Sequence, residues 1–140
     1  MRKLLLPLVA LILLTAGCEK NHVFTYYYNV QPNQWEAPRD ANGNYDLNSY
    51  RYSCWQNADI TPDVINDGFV LVYYCAPDGL DEMLPYTFYF TDNGYYDQER
   101  LEFDVEPGFI YFILKDTDFG IDDSMNGIGT MKFKVCVYRN

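Results

Sequence analysis

Histidine is almost missing from this chain, which carries one, His22, in 140 residues. A Ser-His-Asp or Cys-His centre needs an imidazole beside its nucleophile, so it would have to recruit that single ring. Neither a Gly-x-Ser-x-Gly elbow nor a Gly-rich phosphate cradle occurs. A zinc cluster wants Cys and His at short spacing, and His22 stands far from any such cluster in sequence. Basic residues are scarce as well: ten Lys and Arg face twenty Asp and Glu, for a net charge of −10. Too few cations are present to neutralise a polyphosphate, which argues against nucleic acid as a partner. No apolar run reaches the ~20 residues that a membrane-spanning helix needs.

What the chain does have begins at its N-terminus. Arg2 and Lys3 precede an apolar run of eleven residues, Leu4 to Leu14, and Thr15-Ala16-Gly17-Cys18 follows. A charged start, a short apolar segment and small residues before a cysteine read as a bacterial lipoprotein signal peptide covering residues 1–17. Cys18 is then the first mature residue and the lipidation site. Acyl chains on its thiol and amine, at about 0.8 kcal/mol per buried methylene, pass the two-signal threshold for stable anchoring. The expected location is the cell envelope, lipid-anchored on the outer membrane, with the periplasmic or surface face left open. Removing seventeen of 140 residues leaves 123, enough for one domain with a real core. Residues 18–23 read as a lipidated tether and 24–140 as the domain. Losing Arg2 and Lys3 takes the net charge from −10 to −12, which anionic headgroups repel, so the domain is expected to be held off the membrane by its anchor.

Tyr, Phe, Val, Ile and Thr dominate the apolar runs of the mature chain, and turn dipeptides punctuate them. Strands are predicted near 22–31, 47–57, 69–76, 84–91, 99–105, 109–116 and 129–138, which suits an all-β fold, an antiparallel immunoglobulin-like β-sandwich of about seven strands. Leu101, Phe103 and Val105 alternate with Glu102, Asp104 and Glu106, placing the first three on the core. Pro107-Gly108 supplies a type II turn into Phe109 to Leu114, apolar on both faces and so predicted to be a central strand. In the last strand Met131, Phe133, Val135 and Val137 share one face, opposite Lys132, Lys134, Cys136 and Tyr138.

One stretch departs from the β pattern. Thr61, Pro62, Asp63 and Gly68 carry a cap hydroxyl, a first-turn proline, an early carboxylate and a closing glycine. A single helical turn crossing between the sheets is predicted, with Ile60, Val64 and Ile65 plugging the end of the sandwich.

The string from Asp59 through Pro62 and Gly68 to Tyr73, then Leu84-Pro85-Tyr86 and the closing Phe133-Lys134-Val135-Cys136-Val137, resembles a family of small Bacteroides-type lipoproteins with a C-terminal β-sandwich domain. Trp35 after the first strand fits the same pattern. The resemblance covers most of residues 24 to 138 and implies an exported β-sandwich, with no known enzyme activity and no catalytic residues to carry over. Many such proteins place a Gly- and Pro-rich spacer after the lipid cysteine, whereas here the chain passes almost directly from Cys18 to Phe24.

Beyond Cys18 the cysteines are Cys54, Cys75 and Cys136, each inside an aromatic or β-branched run where a thiol acts as a small hydrophobe. One disulfide, with three alternative pairings, is arithmetically open in an exported protein. The acids Glu102 with Asp104 and Asp122 with Asp123 read as solvated surface rather than a glycosidase pair. Asp116, Asp118 and Asp122 offer alternate oxygen ligands for calcium, but Gly120 stands at the fifth position and no closing glutamate follows. No cofactor is expected.

Aromatic residues are abundant, with fourteen Tyr, nine Phe and two Trp. Tyr26, Tyr27 and Tyr28 are consecutive, so at least one faces outward, and Tyr50 and Tyr52 share a strand face. Exposed rings stack on sugars and anchor protein interfaces. Two functions are therefore carried forward: a non-enzymatic structural or protein-interaction module of the envelope, and a glycan-binding lipoprotein with its site at Trp35, Tyr95 and Tyr96.

Overall fold

The computed structural model describes residues 22–46, 50–92, 95–116 and 129–139. The chain runs through β1 (His22–Val30), a 3₁₀ turn (Pro32–Gln34), β2 (Arg51–Gln56), α1 (Pro62–Asp67), β3 (Phe69–Cys75), β4 (Asp81–Met83), β5 (Tyr86–Asp92), β6 (Tyr95–Glu106), β7 (Phe109–Asp116) and β8 (Met131–Arg139). Two four-stranded antiparallel sheets result, in the orders β1-β8-β3-β4 and β2-β7-β6-β5. The all-β sandwich predicted from the runs is present. It has an eighth strand, the three-residue β4, and the first strand pairs with the last.

The two sheets meet through rings. Phe112 of β7 and Phe133 of β8 stack with centroids 4.2 Å apart and planes at 10°, and both are fully buried. Tyr28 leans on Phe112 from β1, and Tyr74 of β3 meets Tyr86 of β5. Each fully buried aromatic or branched side chain contributes roughly 1.5–3 kcal/mol. The alternation in β6 sorts as its spacing demands: Leu101 is fully buried, Phe103 and Val105 pack on the core, and Asp104 and Glu106 face water. β7 lies between β2 and β6, as its two apolar faces require.

The β6–β7 hairpin closes with Pro107 and Gly108, whose φ of 85° calls for a residue without Cβ. Its glycine is also clamped to the neighbouring loop, since Gly108 N–H donates to Ile60 O at 2.7 Å and Asn57 N–H donates to Gly108 O at 2.8 Å. α1 crosses from the second sheet to the first, with the Thr61 hydroxyl accepting from Val64 N–H at 3.3 Å. Ile60 and Val64 plug the end of the core, but Ile65 is 42% exposed. A six-residue helix lying on the sandwich end has room for one inward position, and Val64 takes it. Gly68 is required for a steric reason, because a Cβ there would stand 2.2 Å from the backbone oxygen of Tyr138.

Candidate functional site

The segment after the 3₁₀ turn builds one wall of a groove. Glu36 and Tyr52 exchange backbone hydrogen bonds of 2.8 and 2.9 Å, which hangs this segment on the free edge of β2. Alternation then turns Trp35 inward and the Glu36 carboxylate outward. Trp35 is 7% exposed and meets Phe133 edge-on at 6.4 Å, with its Nε1 buried and unpartnered among the described residues. This corrects the expectation of Trp35 as an exposed stacking platform: the ring belongs to the core. Tyr95 and Tyr96 open β6, where their backbones pair with Asp92 and Thr91.

Beyond Glu36 the chain makes its own small hairpin. Asp40 accepts from the backbone N–H groups of Asn42 and Asn44 at 2.8 and 2.9 Å, and Gly43 turns with φ of 84°. The hydrogen bond from Asn44 is the main reason the Asp40 carboxyl lies below the usual carboxylate range. Arg39 lies 4.0 Å above the Tyr45 ring and donates to Tyr45 Oη and to Gly43 O, both at 2.7 Å.

Between this hairpin and the outer face of β2-β7-β6 lies a groove of about 360 Å³, lined by Pro38, Arg39, Tyr50, Tyr52, Asp104, Glu106, Tyr111 and Ile113. Three rings form its floor. Tyr50 and Tyr52 are 6.3 Å apart with planes at 54°, and Tyr52 and Tyr111 are 6.5 Å apart at 50°. The tilt makes a concave cluster rather than a flat shelf. Tyr52 Oη donates to Glu36 Oε2 at 3.4 Å and Tyr111 Oη donates to Glu106 Oε2 at 3.1 Å. The Glu106 carboxylate pushes the Tyr111 phenol up to about 12. Burial, followed by Glu36, raises Tyr52.

The sequence placed Tyr50 and Tyr52 on one face, and the structure agrees. Tyr111 was missed because it joins them through register, Cys54 lying opposite Tyr111 and leaving Tyr52 on the diagonal. Tyr86, inside the predicted strand 84–91, lies in β5 and packs on the core. Glu102 and Asp104 share a face, but Glu102 is held by Arg100 at 2.8 Å and by Lys115, which leaves Asp104 in the groove without a facing acid partner from that pair.

For the calcium reading, Asp116 ends β7, while Asp118 and Asp122 lie outside the described residues, as do Cys18 and the pair Asp122 and Asp123. No cluster of three or more metal-ligating side chains occurs among the described residues. His22 stacks on Phe24 at 6.3 Å at the start of β1. Cys54 points from the outer face of one sheet, and Cys75 and Cys136 from the outer face of the other. Leu71 is the partner of Cys136, so Cys75 is four positions further along β3, about 13 Å away and past disulfide reach. All three are free thiols. Among the described residues no helix is long and apolar enough to cross a membrane. Comparison with protein-family models, with curated proteins and with solved structures finds no match.

Proposed function

We propose that this chain is an exported envelope lipoprotein, anchored through lipid on Cys18, whose β-sandwich is a non-enzymatic interaction module. The motif Leu14-Thr15-Ala16-Gly17-Cys18 and the resemblance to small Bacteroides-type lipoproteins support the address. The observation that carries the module's role is the groove over Tyr50, Tyr52 and Tyr111.

Its hydrogen-bonding inventory favours a cationic protein segment. The phenols of Tyr52 and Tyr111 already spend their protons on Glu36 and Glu106, and two of the Arg39 nitrogens donate to Gly43 and Tyr45. Beside the N–H groups that Arg39 has left, the groove offers a visitor ring faces and the carboxylate lone pairs of Asp104 and Glu106, which suit the ammonium of Lys or the guanidinium of Arg. The volume, near the low end for ligand sites, takes one such side chain. A glycan could use the same rings together with the remaining Arg39 N–H groups, and the two carboxylates of the lining favour a cation over it.

The test is calorimetric titration with a short lysine-rich peptide beside a neutral oligosaccharide. A cation over a partly exposed ring gains about 0.5–1 kcal/mol, so Tyr52→Ala and Tyr111→Ala should each weaken peptide binding about two- to fivefold. Saturable binding of the oligosaccharide, with none of the peptide, would move the assignment to glycan.

A further inference from the structure

We infer that the outer face of the β1-β8-β3-β4 sheet is a bilayer-docking surface, a role that rests on Cys18 being the lipid anchor. Register places three apolar side chains in one row at the start of this sheet: Val23 of β1 is opposite Tyr138 of β8, which is opposite Phe69 of β3. Phe69 and Tyr138 stack at 4.1 Å and 17°, yet Phe69 is 53% exposed and Val23 is 50% exposed. Behind that row come Thr25, Cys136 and Leu71, and then Tyr27, Lys134, Tyr73 and Met83, with Tyr27 and Met83 well exposed. Such a contiguous apolar sheet face calls for a cover.

Chain length says what the cover is. Cys18 and His22 are four residues apart, and four extended residues span at most about 14 Å, so a lipid on Cys18 keeps the first row of this face within reach of the headgroups. The other side of the sandwich carries the acidic groove and would face away.

Charge agrees with this orientation. On a chain of net −10, the apolar face holds cations: Lys132 lies 4.9 Å over the Tyr27 ring and Lys134 lies 4.6 Å over the Tyr73 ring, where Lys134 also binds Asp81. Aromatic rings at the level of the headgroups, with the Lys132 ammonium reaching phosphate while Lys134 stays paired with Asp81, form the usual interfacial pattern. The net negative charge therefore does not hold this face off a membrane, because the acids facing the groove lie on the opposite side.

The experiment uses the full-length protein purified in detergent and reconstituted into vesicles of phosphatidylethanolamine and phosphatidylglycerol containing a lipid with a photoreactive headgroup. After illumination, crosslinked residues are mapped by mass spectrometry, and intact mass reports whether Cys18 carries lipid. Crosslinks should concentrate on Val23, Phe69 and Tyr138 at least fivefold over Tyr52 and Tyr111. Val23→Ser with Phe69→Ser should cut the yield severalfold in a protein that still melts cooperatively, while Tyr89→Ser, on the other sheet, should leave it unaltered. A lipidated protein crosslinked evenly on both sheets, or one forming a stable dimer that shields Phe69, overturns the docking face and leaves the anchor standing. An unlipidated protein that still crosslinks through Val23 and Phe69 keeps the face and overturns the anchor. An unlipidated protein with no crosslinks overturns both.

Discussion

The phenol of Tyr26 on β1 donates to the carboxylate of Asp59 in the turn between β2 and α1, joining the first strand to a loop of the opposite sheet. Beside it Asn57 Nδ2 donates to Tyr28 Oη at 2.9 Å, and Asn57 Oδ1 accepts from Asp59 N–H at 3.0 Å. A polar seam of this kind fixes how the two sheets are registered at that edge, because each carboxylate and amide has its partner chosen.

That seam makes stability sensitive to alkali. The hydrogen bond to Asp59 pushes the Tyr26 phenol up to about 12 from its ordinary value of 10.0. A raised pKa means that the fold favours the protonated phenol, so the contribution is full below pH 10 and is lost as pH rises through 12. In urea melts across pH 9 to 12, stability should fall over the upper part of that range, and Tyr26→Phe should be less stable at pH 9 with a shallower fall above pH 10.

Gly68 should tolerate no side chain. Gly68→Ala drives a Cβ against the Tyr138 carbonyl, and the crowding is expected to cost about 1–3 kcal/mol or more in chemical denaturation. Thr61→Ala, which removes the hydroxyl that caps Val64 N–H, should cost about 1 kcal/mol. Little or no loss from Gly68→Ala would mean that the contact at Gly68 relaxes freely.

The three thiols should separate by accessibility under a maleimide reagent. Cys54 is exposed and should react first; Cys75 is partly covered and its pKa is raised, chiefly by burial, so it should follow. Cys136, 9% exposed and 3.8 Å from the Thr25 hydroxyl, should react last. Non-reducing mass spectrometry should show three free thiols in 54, 75 and 136. A Cys75–Cys136 bridge would require β3 and β8 to slip from their observed register.

Much of this fold was legible because strand alternation is a local signal. Leu101, Phe103 and Val105 announce their face without knowledge of any other strand, and Pro107-Gly108 and Thr61-Pro62 announce a turn and a cap from their own backbone limits. β4 was not legible, since Asp81, Glu82 and Met83 are too short a run to show a period and exist as a strand through β3. Trp35 misled because its neighbours Gln34 and Glu36 are polar, and its burial follows from pairing on the edge of β2. The groove needed cross-strand register to bring Tyr111 beside Tyr52, and the asymmetry of charge needed the assignment of faces. Net charge averages over both sides of a sandwich and so hides the lysines of β8.

The proposed role begins with lipid on Cys18, and the most direct measurement is labelled-palmitate incorporation in growing cells, followed by the mass of the N-terminal peptide of the purified protein. The prediction is a mature chain beginning at Cys18, carrying acyl chains and the label, with residues 1–17 absent. A chain that keeps Met1, or one cleaved elsewhere and free of label, would contradict the account.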